Sequence, residues 1–178
     1  MTAPSSKVNK KEEKYTQANL FERLHYESFS VAQVQPKYRR KLRPEEMPKV
    51  TSDEDVHALL MEIWDKDKLD YCEQMYALFL NRANKVHAWA LVGEGGIGSC
   101  QVYPQKIFTL ALITNSAALI LAHNHPSSDL TVSNADWRIT TQMLEASKVI
   151  GVSLVDHLVV NSLGEYVSLR AERSQLFS

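Results

Sequence analysis

The chain has 178 residues, 44% of them hydrophobic, and its 20 basic and 21 acidic residues leave a formal net charge of −1. That is enough apolar material for one packed domain plus a modest extension, which excludes a wholly disordered chain. The balanced charge excludes a global electrostatic pull toward nucleic acid or anionic membrane.

Residues 1 to about 14, rich in Ser, Asn, Lys and Glu, read as a flexible tail, and residues 1–50 as a flexible N-terminal extension. Within it, alternation over Phe29-Ser30-Val31-Ala32-Gln33-Val34 predicts an edge strand. Pro36, Pro44 and Pro48 interrupt the rest, alongside a basic run of Lys37, Arg39, Arg40, Lys41 and Arg43 that reads first as a solvated loop.

A domain spanning 51–178 begins at Ser52-Asp53-Glu54-Asp55, a helix N-cap with early acidic residues. Val56, Leu59, Leu60, Ile63 and Trp64 follow at helical spacing. Met75 to Leu80 has strand length, Asn81 to Lys85 is a hairpin turn, and Val86 to Val92 is the partner strand. Gly93, Gly95, Gly96 and Gly98 lack the lysine and hydroxyl ending of a phosphate loop, and read as a flexible turn leaving a strand. Pro104 suits the first position of a helix running to about Asn115, and Ala117 to Ala122 is a compact apolar strand. A longer helix is predicted from Ser133 to about Ile150, with Ile139, Met143, Ala146 and Ile150 on its buried stripe and Gly151 closing it. Val152 to Val160 and Glu165 to Leu169 are the last strands. Alternating strands and helices indicate a mixed α/β or α+β layered domain.

Two cysteines, Cys72 and Cys100, make no disulfide framework, and no run approaches the roughly 18 apolar residues of a membrane span. The start of the chain has no signal-peptide pattern, so a soluble, cytoplasmic protein without a membrane partner is expected.

The segment that carries chemistry is Ala122-His123-Asn124-His125-Pro126, followed by Ser133-Asn134-Ala135-Asp136. In an extended chain, side chains at i and i+2 share a face, so both imidazoles can reach one ion. Pro126 favours an abrupt exit into a loop. The chain returns at Ser133, a good N-cap, with Asp136 on the first helical turn. Two nitrogens and one oxygen are three protein ligands with a fourth tetrahedral position open, which is the pattern of a catalytic zinc site.

The whole string, His-x-His, seven residues, then Ser-x-x-Asp, resembles the JAMM motif of the JAB/MPN metalloproteases, and is most similar to their RadC-like branch. Ala118-Leu119-Ile120-Leu121-Ala122 before the motif, Leu154-Val155-Asp156-His157, and Glu165-Tyr166-Val167-Ser168-Leu169 add to the likeness, which covers roughly residues 50 to 173. It implies a mixed, curved β-sheet flanked by helices, as in the cytidine-deaminase-like superfold. It also implies His123, His125 and Asp136 as ligands of Zn2+, with Glu73 as the catalytic acid and base and Ser133 as an oxyanion donor that also caps its helix. Glu94 is the alternative to Glu73.

Two features depart from the family pattern. Tyr103-Pro104-Gln105-Lys106 stands where the family usually has His-Pro-Arg-Glu, and Ser128 stands where a glycine follows His-Pro-Ser. Among other candidates, His157 reads as a hydrogen-bonded core histidine, Cys72 as a small buried thiol, and Trp64, Trp89 and Trp137 as packing residues. His25, His57 and His87 read as structural or exposed.

The leading reading is a zinc-dependent metallopeptidase or isopeptidase acting on a protein or peptide, ubiquitin-like conjugates included. A second is a DNA-repair or mobile-element accessory that binds nucleic acid through Lys37 to Arg43. A third is a protein–protein module in which the metal is purely structural.

Overall fold

Ser52 starts the first helix of the described residues as its sequence predicts. Its hydroxyl accepts the Asp55 N–H at 3.3 Å, and Asp55 Oδ2 accepts the Ser52 N–H at 3.2 Å, a reciprocal capping box. The structure is a computed structural model that describes residues 36–39, 42–96 and 100–177. Helix α1 (Asp53–Ile63) buries Val56 and Leu60, and Trp64 follows them into the core. Strand β1 (Gln74–Leu80) turns through Asn81–Lys85 into β2 (Val86–Glu94), with Asn84 at φ 57° in the left-handed region that Asn tolerates. Next come α2 (Pro104–Ile113), β3 (Ala118–Asn124), α3 (Asn134–Ile150), β4 (Ser153–Val160), β5 (Tyr166–Ser168) and the one-turn α4 (Leu169–Glu172).

Among the described residues, the strands form one mixed five-stranded sheet in the order β2-β1-β3-β4-β5. Only β3 and β4 are parallel, and α3 supplies the crossover between them; the other pairs are antiparallel. Alternation along the strands feeds two cores. Tyr76, Leu78, Ile120, Ala122 and Leu158 pack on one face against Val56, Leu60 and Trp64. On the other, Ala77, Phe79, Leu119 and Leu121 meet Ile107 and Phe108 of α2 and Met143 of α3. Each of β1 and β3 is buried along all seven residues. Burying one Leu or Phe contributes about 1.5–3 kcal/mol, so these two strands form a rigid base.

Three details differ from expectation. Strand β3 continues past Ala122 through His123 and Asn124, both completely buried. Of the expected α3 stripe, Met143 is buried and Ile139 and Ala146 pack half-buried against the core, but Ile150 is 37% exposed and Asp136, Thr140 and Ser147 are buried as well. Asp136, Thr140 and Ser147 are admitted because each makes hydrogen bonds inside, which an apolar periodicity cannot count. Trp89, on edge strand β2, packs against the Tyr76 ring with centroids 5.8 Å apart but is still 51% exposed.

The unit from Lys37 to the C-terminus includes Met47 and Val50 in its core, and Lys49 makes a bridge to Lys85. Lys37, Arg39 and Arg43 are exposed. The expected tail, the 29–34 edge strand, His25, Arg40, Lys41 and Gly98 lie outside the described residues. Among the described residues, no helix is long and apolar enough to cross a membrane.

Gly93 is needed for close approach. A Cβ there would lie 2.5 Å from Cys100 Sγ and 3.0 Å from Val102 Cγ2. Gly93→Ala is therefore expected to destabilise the domain by about 1–3 kcal/mol in chemical denaturation, with part of the loss recovered in the Gly93→Ala/Cys100→Ala double variant. Equal stability of G93A and wild type would contradict this packing.

Candidate metal centre

The centre is built where β3 emerges between β1 and β4. His123 pairs across the sheet with Met75 on one side and Val159 on the other, which fixes its backbone, and its side chain has no exposed surface. His125 stays in register because its N–H donates to the Val160 carbonyl at 3.0 Å. Beyond Pro126 the chain turns sharply, with Ser128 N–H donating back to the His125 carbonyl at 2.9 Å. Asp129 Oδ1 accepts the Thr131 N–H and hydroxyl at 2.9 and 2.7 Å, stiffening the loop, and the Asp129 carbonyl accepts from His125 Nδ1.

Ser133 caps α3, and the capping box positions the carboxylate. Asp136 Oδ2 accepts the Ser133 N–H at 2.8 Å and the Ser133 hydroxyl at 2.6 Å. Its other oxygen, Oδ1, lies 3.1 Å from His123 Nε2. His123 Nε2 is 3.0 Å from His125 Nε2, and the latter is 3.8 Å from Asp136 Oδ2. One ligand atom from each residue falls within 4.8 Å of the others.

The donor chemistry fits a cation. A carbonyl only accepts, so the proton of His125 sits on Nδ1 and its Nε2 presents a bare lone pair. Asp136 is an anion: its carboxylate accepts the Ser133 hydroxyl and N–H, which favour the charged form against the burial that opposes it. Metal bonds of about 2.0–2.2 Å in a tetrahedron require ligand–ligand edges of about 3.3–3.6 Å, which the observed separations bracket. His123, His125 and Asp136 can thus hold one metal ion, with protein atoms supplying three ligands.

A cleft of about 500 Å³ opens beside this group, lined by Glu73, Cys100, His125, Ser133, Asp136 and Arg138 among others. Glu73 is half-buried just before β1, its backbone clamped by an N–H donated to the Gly96 carbonyl at 3.1 Å and a carbonyl that accepts the Gly95 N–H at 2.9 Å. Burial, with the nearby Glu73 carboxylate, pushes the Cys100 thiol up to about 11, so it stays protonated at neutral pH. Glu94 is occupied elsewhere: its Oε2 accepts from Gln74 Nε2 at 2.6 Å, and it does not line the cleft. The Ser133 hydroxyl proton is directed at Asp136 in this arrangement.

Two residues acquire a place that sequence reasoning did not give them. Asn124, on the opposite face from the two histidines, is completely buried. Its Oδ1 accepts the Gln74 N–H at 2.7 Å, and its Nδ2 donates to the Leu69 and Cys72 carbonyls at 2.7 and 2.9 Å. It thereby fixes both neighbours of Glu73. The signal was available: an Asn ending an apolar strand must satisfy its amide somewhere inside. His157 is a buried, hydrogen-bonded core histidine as expected, but one partner is His123 Nδ1, at 2.9 Å, and the other is Thr140 Oγ1, at 2.7 Å. Burial, then the histidines nearby, lowers its pKa well below the ordinary value, with Asp136 opposing, so the ring is neutral.

The remaining candidates settle as follows. Cys72 is buried, His57 stacks on Tyr166 at 4.6 Å, and His87 is hydrogen-bonded to Tyr38. Trp137 packs beneath the Arg173 guanidinium at 4.0 Å, and the cleft wall there is Arg138 and Ile139 instead. Lys106 donates to the Val92 carbonyl at 3.2 Å.

Ser128 sits at φ 60°, a conformation that glycine adopts without strain, so glycine suits this position and nothing in the structure explains the serine. Restoring the glycine with Ser128→Gly is expected to raise stability by about 1 kcal/mol in chemical denaturation, because a side chain in this region costs roughly 1–2 kcal/mol. A loss of stability would contradict the reading.

Comparison with known proteins gives the same family. Residues 50–175 match the RadC-like JAB domain. A UPF0758 protein of Methanosarcina acetivorans is 33% identical over 124 residues, covering 70% of this chain and 52% of the relative. One from Clostridium acetobutylicum is 36% identical over 128 residues, covering 71% and 54%. One from Symbiobacterium thermophilum is 42% identical over 98 residues, covering 55% and 42%. The chain therefore spans about half the length of the curated relatives it matches. With the family match covering most of its length and the fold agreeing, the chain belongs to the RadC-like JAB domain family.

Proposed function

We propose that this chain is a zinc-dependent hydrolase that cleaves an amide bond in a protein or peptide, as a peptidase or isopeptidase. The observation that carries the reading is the convergence of His123 Nε2, His125 Nε2 and Asp136 beside a cleft that also contains Glu73. Two imidazoles and one carboxylate suit Zn2+, and three protein ligands belong to catalytic rather than closed structural sites. Zinc bound there supplies a Lewis acid and lowers the pKa of water to about 7.

The chain's own groups divide the remaining work. Glu73 takes the proton from the attacking water and returns it to the departing amine, the general acid–base role of a positioned carboxylate. Asn124 and the Gly95–Gly96 backbone hold Glu73 for that task. Ser133 turns its hydroxyl proton from Asp136 Oδ2 to the oxyanion as the carbonyl becomes tetrahedral, while its N–H keeps Asp136 in place. Cys100 stays a neutral thiol and takes no nucleophilic part.

Purified protein is expected to contain about one zinc per chain by elemental analysis. Glu73→Gln should keep that metal while slowing turnover by about 10²–10⁴-fold. A proteome-wide search for new N-termini should find cleavage products with wild type and not with E73Q. Loss of zinc in E73Q, or cleavage as fast as wild type, contradicts the role given to Glu73.

A further inference from the structure

We infer that His157 and Thr140 form a one-way hydrogen-bond relay that fixes the tautomer of His123 and so sets its metal-facing nitrogen as a lone pair. The inference rests on the metal reading of His123, and it concerns residues that the ligand string does not include.

The direction of every bond follows from proton counting. Thr140 Oγ1 lies 2.6 Å from the Asp136 backbone carbonyl, which can only accept, so the one hydroxyl proton goes there. The same oxygen is 2.7 Å from His157 Nδ1 and, having spent its proton, must accept from that nitrogen. His157 therefore carries its proton on Nδ1. The ring is completely buried and, among the described residues, its side-chain hydrogen-bond partners are Thr140 and His123, so it does not carry a second proton. Its Nε2 is then an acceptor, and the 2.9 Å contact with His123 Nδ1 requires His123 to be the donor. With that proton placed, His123 Nε2 is bare and faces His125 Nε2 and Asp136 Oδ1 at 3.0 and 3.1 Å.

The relay closes on itself, because the residue whose carbonyl anchors Thr140 is Asp136, the carboxylate ligand. One chain of bonds thus ties His123 on β3 to Asp136 on α3 through His157 on β4. Metal-binding histidines commonly donate their second N–H to a carboxylate or backbone carbonyl. Here a neutral imidazole takes that place, and a hydroxyl donated within one helix turn orients the imidazole. Thr140 and His157 are positioning residues and need not touch substrate.

The test uses the full chain with 15N-labelled histidine. In metal-free wild type, long-range 1H–15N spectra are expected to show the His123 proton on Nδ1. Thr140→Val removes the acceptor, frees His157 to hold its proton on Nε2, and should move the His123 proton to Nε2; Thr140→Ser should restore the wild-type pattern. Zinc affinity, measured by competition with a chromophoric chelator, should fall about 10–100-fold in T140V and in His157→Leu, and recover in T140S. The tautomer readout in wild type needs no variant, so a failure of H157L to fold leaves the inference decidable. If wild type binds no zinc but His123 is protonated on Nδ1, the relay stands and the zinc reading falls. A wild-type His123 proton on Nε2, or undiminished zinc affinity in T140V, overturns the relay.

Discussion

Three acceptor atoms facing one another without a proton to share is the constraint on which the rest depends. His125 has its proton committed to the Asp129 carbonyl, and Asp136 remains an anion despite burial. Such a group is repulsive on its own, and burial raises that cost. A cation turns the repulsion into attraction. The same placement would be unstable on a loose scaffold, and it is built instead at the end of a strand buried on both faces and paired on both edges.

The fold supplies rigidity at each attachment. The His123 backbone is held by the β1 and β4 ladders, Asp136 by a capping box, and Glu73 by Asn124 from the side of the sheet that the histidines do not use. Strand alternation separates these tasks: residues 123 and 125 face the α3 side, and residue 124 reaches the loop that follows α1. A single tripeptide, His123-Asn124-His125, therefore links the metal centre to the segment that carries the acid–base candidate. Preorganisation of this kind lets a small cleft hold several groups to the precision that catalysis demands.

Much of this was legible in the sequence. The caps at Ser52 and Ser133, Pro104 at its helix start and Gly151 in the left-handed region are local rules that tertiary context did not override. The spacing of His123, His125, Ser133 and Asp136 was enough to bring three ligand atoms together, because each stands at an element boundary whose geometry is nearly fixed. What the sequence could not convey is the identity of the partners across the sheet. His157 lies 34 positions from His123, and Thr140 reads as an ordinary helix residue until its hydroxyl is seen to link Asp136 and His157. The polar members of the α3 stripe were missed for the same reason, since Asp136, Thr140 and Ser147 are held inside by hydrogen bonds rather than by apolar contact. Trp89 packs against Tyr76 as a large aromatic would, yet its place on an edge strand leaves it half-exposed.

Anomalous diffraction at the zinc edge from crystals grown with zinc tests the central claim most directly. The account predicts a single strong peak about 2.0–2.2 Å from His123 Nε2, His125 Nε2 and a carboxylate oxygen of Asp136, with no fourth protein ligand. A fourth protein ligand closing the site, or no peak between the two imidazoles, would contradict it.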